Sequence, residues 1–429
     1  MLGKIPEYVK RVLEELNNQG FEGFLVGGCV RDFLLGRMPG DYDVATSALP
    51  EEIIECFKDY TVIETGLKHG TVTVVSDRSP VEVTTYRIDG KYLDNRRPSE
   101  VFFTESLEED LSRRDFTINA MAYSDKIGIV DLFGGASDVQ KKIIRCVGEP
   151  SKRFEEDGLR ILRALRFSSC LGFDIDKETK EAIHLYKDLL YNISVERIYD
   201  EFTKLLLGDY ADLVLNEFTD VIAVFIPELL NILEYDCFEH TLKVIKLCEK
   251  NKSLRYAALF HELGKPLSEA PERNNLNEKE ECARSSEIAK KTLNNLHSDK
   301  KTLDTVKKLI LKHGEIITPS RIKIKKMVRD SSFDFTRLLL MLQLASKTAF
   351  NDEPREKAIE KAIEILKEIE KDNLCLSLKQ LKVSGKDIEA LGTAGEKVGQ
   401  ILNYLLDQVI EEKVENEKGP LLELAKRLL

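Results

Sequence analysis

The residues best suited to chemistry are Asp41 and Asp43, which alternate along Gly40-Asp41-Tyr42-Asp43-Val44. On an extended strand alternate side chains share a face, so the two carboxylates project together. Held side by side they repel unless a cation lies between them, and hard oxygen donors with open positions suit Mg²⁺. Upstream, Phe24-Leu25-Val26-Gly27-Gly28-Cys29-Val30-Arg31-Asp32 reads as a buried strand, a glycine pair and a short helix. Gly27 and Gly28 let backbone N–H groups approach a phosphate, and the following helix turns its N-terminus toward it. Arg31 adds a fixed positive fork for phosphate oxygens. A Gly-Gly pair or an Asp-x-Asp alone is common in surface turns. Joined at this spacing, they suit the transfer of a nucleotidyl group from a triphosphate.

The run from Gly27 to Asp32 followed by Asp41-Tyr42-Asp43 resembles the class II tRNA nucleotidyltransferases, the CCA-adding enzymes, and the related bacterial poly(A) polymerases of the DNA polymerase β superfamily. The resemblance implies an α+β fold: an N-terminal nucleotidyltransferase head with a mixed β-sheet and helices, then an all-α neck, body and tail. The expected limits are 1–145 for the head, 146–207 for the neck, 208–370 for the body and 371–429 for the tail. The implied activity adds C, C and A to the 3′ end of tRNA from CTP and ATP. It needs Mg²⁺ on Asp41 and Asp43, uses no nucleic-acid template and releases pyrophosphate. A-adding or CC-adding partial enzymes and poly(A) polymerase share these motifs and are the alternatives.

Two further stretches carry the resemblance. Arg113-Arg114-Asp115-Phe116-Thr117-Ile118-Asn119-Ala120 is expected to open a helix. Asp115 would accept from a ribose hydroxyl while Arg114 reaches phosphate, with Asn119 in the same nucleotide-binding set. Alone, the cluster also suits an exposed, salt-bridged helix start. In Glu156-Asp157-Gly158-Leu159-Arg160, the spacing predicts Asp157 and Arg160 on one helix face, continued by Arg163. An intrahelical ion pair satisfies the same spacing. Base chemistry offers another use. A carboxylate accepts from the exocyclic amino group of cytosine or adenine, and a guanidinium donates to the ring acceptor beside it. Guanine and uracil present oxygen instead, and each bad pairing costs about 1–3 kcal/mol. This stretch resembles the family's protein template, so Asp157 and Arg160 are expected to choose the base. Gly158 inside a helix costs ~1 kcal/mol against alanine and would give the nucleotide room.

Weaker signals surround these. Glu82, on a period-two strand, is a candidate third metal carboxylate or a solvent-facing residue, and His69 suits a turn or packing role. Residues 89–98, with Arg96 and Arg97, form a full-length loop that the resemblance ties to the final adenosine. Ser194 to Phe202 is expected to be a capped helix with Glu196 and Arg197 holding neck to head. His240 and His261-Glu262-Leu263-Gly264-Lys265 resemble a phosphohydrolase metal site that has lost its aspartates. That site is expected to persist as a scaffold, with His313 lacking an evident partner set. The basic run Arg321 to Arg329 suits either a solvated helix face or tRNA phosphates. In the tail, Gly392 to Gly399 suits a glycine-punctuated turn into a helix.

Composition sets the outer bounds. The chain has 429 residues, 42% hydrophobic and 32% charged, and a net charge of −11. That balance lacks the long basic extension expected of a poly(A) polymerase. Eight cysteines without C-x-x-C pairs suit reduced thiols in a cytoplasm. No apolar run approaches the ~20 residues of a membrane span.

Overall fold

A computed structural model describes residues 5–90, 101–233, 236–265 and 278–429. The loop expected at 89–98 therefore falls mostly outside the described residues, Arg96 and Arg97 with it. The chain divides into two compact units, Met1–Leu230 and Asn231–Leu429.

The first unit begins with α1 (Glu7–Asn18), which buries Val9, Val12, Leu13 and Leu16 along one face. Then come β1 (Gly23–Val26), α2 (Gly28–Leu34), β2 (Asp43–Thr46) and α3 (Pro50–Cys56). Proline opens α3, where its missing N–H is not needed, and the Glu52 carboxylate accepts from the Leu49 N–H at 2.7 Å. Next are β3 (Thr61–Ile63), β4 (Thr71–Ser76), β5 (Ser79–Thr85), β6 (Arg87–Asp89) and β7 (Val101–Phe103). They are followed by α4 (Leu107–Ser112), β8 (Met121–Ser124), β9 (Gly128–Asp131), α5 (Gly135–Lys141) and β10 (Ile143–Ile144). Helices α6 (Pro150–Glu156) and α7 (Leu159–Leu171) lead to β11 (Asp174–Ile175), α8 (Lys177–Tyr186) and α9 (Val195–Leu206).

Seven strands form one mixed sheet in the order β3-β4-β5-β2-β1-β8-β9. Strand β2 is antiparallel to β1 and parallel to β5. Alternation explains the two faces of its neighbours: Val72 and Val74 of β4 and Val81 and Val83 of β5 are fully buried, while Glu82 between the last two is exposed. Phe24, Val26, Ala45, Tyr86, Leu111 and Ala122 form a core cluster, each large side chain contributing about 1.5–3 kcal/mol. Strand β2 thus sits mid-sheet on a packed support, and the site residues hang from its leading end.

Several local expectations are corrected. The stretch after the head is not wholly helical, because β11 pairs with β10 in parallel. Arg113 to Ala120 does not open a helix. It follows α4, with Arg113 at that helix's C-cap, and runs into a short 3₁₀ turn at Thr117–Asn119. Ser194 stands at the N-cap of α9, but its side chain makes no capping bond.

Among the described residues the second unit contains helices without strands. Ile324, Leu340, Ala362, Leu366, Leu405 and Leu421 belong to its core. The basic run lies on the helix Arg321–Asp330 and is largely neutralised within the unit. Lys325 and Lys326 pair with Glu412 and Glu411, each at 2.5 Å, Arg321 with Glu368 and Asp372, and Arg329 with Asp407. Cations committed in this way have less charge to offer phosphates, while Lys323 is exposed and donates to Thr318 at 3.0 Å. Gly395, at φ +67°, stands at the N-cap of the helix Glu396–Ile410, as the glycine-punctuated turn requires.

Candidate active site

The strand-to-helix turn between β1 and α2 begins the site. Gly27 has φ +76°, a conformation that glycine adopts without strain, and its N–H donates to the Met121 carbonyl at 3.3 Å. A Cβ there would come within 3.2 Å of an Arg114 nitrogen, so glycine also keeps that approach open. Arg31, on α2, donates to Asn119 Oδ1 at 2.8 Å and pairs with Asp32 at 2.8 Å. These contacts fix its fork against the cavity wall.

Asp41 lies just ahead of β2 and Asp43 opens that strand, with buried Tyr42 pointing the other way. The carboxylates alternate as expected, although the strand starts at Asp43. Glu82 stands directly across from Asp43 in the β2–β5 register. Burial, together with the charges of Asp41 and Glu82, pushes the Asp43 carboxyl up to about 6 against the pull of Arg114. Asp41 and Asp43 line one cavity and offer hard oxygen donors of the kind divalent cations take, whereas Glu82 is exposed and does not line it.

Asp110, 1% exposed, anchors the adjoining wall. Burial alone would raise its carboxyl, but Arg114 at 3.1 Å and Arg113 at 2.6 Å hold it below the usual range. Arg114 lines the cavity, and its Nε is buried without a hydrogen-bond partner among the described residues. Asp115 is buried too. It accepts from the Phe116 N–H at 2.8 Å, from Asn119 at 3.2 Å and from Arg163 at 2.6 and 2.8 Å. Burial opposes its ionisation, yet Arg163 brings the carboxyl down to about 2. Asp115 therefore orients two nucleotide-site candidates, Asn119 and Arg163.

The expected single helix through Asp157 and Arg160 is broken. Helix α6 ends at Glu156, Asp157 is extended (φ −142°, ψ 103°), and α7 starts at Leu159. The Asp157 carboxylate causes the break by accepting from the Leu159 N–H at 3.1 Å, a local bond that competes with a continuous helix. Its ion partner is Arg197, at 2.7 and 3.3 Å, rather than Arg160. Arg197 thus braces Asp157 and not the head. Arg160 pairs with Glu156 and donates to the carbonyls of Arg113 at 2.9 Å and Arg153 at 3.2 Å. Gly158 gives no room to a nucleotide: a Cβ there would meet Leu189 Cβ at 3.0 Å and its carbonyl oxygen at 3.1 Å.

One cavity of about 670 Å³ brings the parts together. It is lined by Gly27, Gly28, Arg31, Asp41, Asp43, Arg114, Asp115, Asn119, Asp157, Arg160 and Arg163. His69, Arg87, Arg113, Arg166 and Phe167 line it as well, none of them among the nucleotide candidates that the motifs single out. Arg166 was findable, since it follows Arg163 by one helical turn. Glu201, 6% exposed and 2.7 Å from Arg166 Nε, carries no signal short of the tertiary fold.

The histidine cluster lies in the second unit. Ligand atoms of His240, His261 and Glu262 fall within 4.8 Å of one another. His313 does have a partner, because its ring packs on His261 with centroids 4.9 Å apart. Lys265 Nζ sits 2.5 Å from Glu262 Oε1, so an ammonium already engages one oxygen of the cluster's carboxylate, while Oε2 is buried without a partner among the described residues.

Three family models match: the poly A polymerase head domain over 23–145, a probable RNA- and SrmB-binding site of polymerase A over 172–243, and a putative tRNA nucleotidyltransferase domain 2 over 282–425. The CCA-adding enzyme of Ligilactobacillus salivarius is 34% identical over 99% of this chain and 98% of its own length. That of Geobacillus thermodenitrificans is 52% identical, but the match spans about half of each protein, 47% of this chain and 49% of the relative. Among solved structures, the Bacillus stearothermophilus CCA-adding enzyme in complex with CTP superposes with a TM-score of 0.73, at 30% identity, covering 99% of this chain and 98% of that one. The Thermotoga maritima enzyme complexed with tRNA shares the fold, with a TM-score of 0.59 at 19% identity. With its mixed-sheet head, helical remainder and full-length likeness, this chain belongs to the class II CCA-adding tRNA nucleotidyltransferase family.

Proposed function

We propose that this protein adds C, C and A in turn to the 3′ end of tRNA, taking CTP and ATP and releasing pyrophosphate. The observation that carries the reading is one cavity lined together by Asp41 and Asp43, by Arg31 and Arg114, and by Asp157 and Arg160. Its volume falls in the range of small-ligand sites.

Asp41 and Asp43 would hold Mg²⁺, with Glu82 beside them. When bound, Mg²⁺ supplies a lowered pKa for the attacking 3′-hydroxyl and charge compensation for the leaving pyrophosphate. The chain's own residues do the rest. Gly27 and Gly28 bring backbone toward the phosphates, Arg31 and Arg114 receive their oxygens, and Asp115 keeps Asn119 and Arg163 in place for ribose and phosphate. Asp157 has four lone-pair positions, of which Arg197 and the Leu159 N–H occupy three. The fourth can accept from the amino group of cytosine or adenine and meets only a lone pair on uracil or guanine. Arg160, held by Glu156 and by the Arg113 and Arg153 carbonyls, lines the cavity beside Asp157. The proposed domain roles follow: catalysis in the head, base choice in the neck, and tRNA contact in body and tail. The cysteines, all free, suit a cytoplasmic setting, and no described helix is long and apolar enough to cross a membrane.

The direct test uses Asp43→Asn, which keeps the shape and removes the charge. Labelled CMP incorporation into tRNA lacking its CCA end should fall by at least a thousandfold with folding intact. Incorporation within tenfold of the native chain would reject Asp43 as the metal carboxylate.

A further inference from the structure

Phe167, on α7, is 7% exposed and forms the inner wall of the cavity. Its ring packs edge-on against Phe116, with centroids 5.8 Å apart and planes at 83°. Three guanidinium groups gather on the same ring. The central carbon of Arg166 lies 4.0 Å from its centroid, that of Arg31 5.4 Å and that of Arg163 5.5 Å. Arg163 and Arg166 come from α7, but Arg31 comes from α2, so one aromatic ring joins cations carried by two separate elements.

Like charges do not converge without cause. Each arginine has a carboxylate behind it: Asp32 for Arg31, Asp115 for Arg163 and Glu201 for Arg166. Those anions fix position at the expense of cationic strength, and a site that must attract phosphate cannot be fully neutralised. The negative face of an aromatic ring differs in this respect. It draws a guanidinium by its quadrupole, within about 6 Å, and carries no net charge to set against an incoming anion. The edge contact with Phe116 fixes the ring itself.

We propose that Phe167 is a positioning residue that holds Arg31, Arg163 and Arg166 aimed into the cavity, where they receive the phosphates of the incoming nucleotide. This rests on the reading of the cavity as the nucleotide site. It makes nucleotide affinity depend on the electron density of a phenyl ring that contributes no hydrogen bond.

Fluorinated phenylalanines separate this role from simple packing. Introducing 4-fluoro-, 3,5-difluoro- and 3,4,5-trifluorophenylalanine at position 167 of the full chain weakens the ring's negative face stepwise with little change in volume. KM and kcat for CTP and ATP are then measured with Mg²⁺, alongside Arg163→Ala. KM should climb with each fluorine, by about threefold to tenfold over the series, while kcat stays within about twofold. A flat KM series overturns the proposal, because a ring acting only by shape is indifferent to fluorine. A falling KM also overturns it, since an electron-poor ring that binds more tightly is stacking on the nucleobase itself. Arg163→Ala should raise KM at least tenfold. If it leaves KM unchanged, the nucleotide reading of the cavity fails, and the role of Phe167 fails with it.

Discussion

Asp157 shows how spacing can point to the right residue and the wrong partner. An Asp-x-x-Arg run suggests a pair on one helix face, yet Asp157 ends a helix and binds Arg197, forty residues later in the chain. The carboxylate prefers a local N–H and a distant guanidinium to a helical neighbour, and no single-helix pattern encodes that choice. Its candidacy survives because the cavity admits it beside Arg160. Asp157→Ala should therefore relax discrimination against UTP and GTP, each wrong base gaining roughly tenfold relative to CTP, with Mg²⁺ dependence unchanged. Unaltered selectivity in single-nucleotide incorporation would remove Asp157 from base choice. The candidates legible in the sequence were those carried by short motifs: the glycine pair, the alternating aspartates and the Arg-Arg-Asp cluster. Residues that act from behind, such as Asp110 and Glu201, were not legible, because their partners meet them only in three dimensions.

At the scale of elements, the head was readable for a physical reason. Its strands alternate in period two on a buried face, and proline and glycine mark its turns. The break between α6 and α7 was not readable, since the apolar pattern runs through it and only a side-chain bond interrupts it. Gly158 sits at this break with helical dihedrals that alanine also adopts (φ −57°, ψ −21°), so its constraint is space beside Leu189 and not backbone freedom. Gly158→Ala should cost about 1–3 kcal/mol by overpacking. It should also shift Asp157, seen as a lower melting temperature together with a CTP/UTP preference reduced at least threefold. A melting temperature and preference equal to those of the native chain would mean that the break is not fixed by this contact.

At the scale of the whole molecule, the two units carry different chemistries. The first holds the cavity and its counterbalanced arginines. The second holds a closed cluster in which His261 is lowered to about 3 and His240 to about 2, chiefly by burial, with His313 also well below its ordinary range. Such histidines stay neutral when folded and take up protons when unfolded. Their effect is absent above about pH 6.5, and stability declines as pH falls through that value, by on the order of 1 kcal/mol per histidine per pH unit. Glu262 shifts upward by burial, against Lys265, and offsets part of this at lower pH. Thermal unfolding of the full chain should show a transition that stays level down to about pH 6.5 and falls from there to pH 5.5. A pH-independent transition over that range would mean the cluster opens to water.

What the cavity makes can be read from its products. The protein is incubated with Mg²⁺, CTP and ATP and three tRNA ends, lacking CCA, lacking CA and lacking A. Products ending in CCA are expected from all three. Extension confined to the end lacking A, arrest after two cytidines, or long adenosine tails would each contradict this expectation, and would place the chain among the A-adding enzymes, the CC-adding enzymes or the poly(A) polymerases respectively.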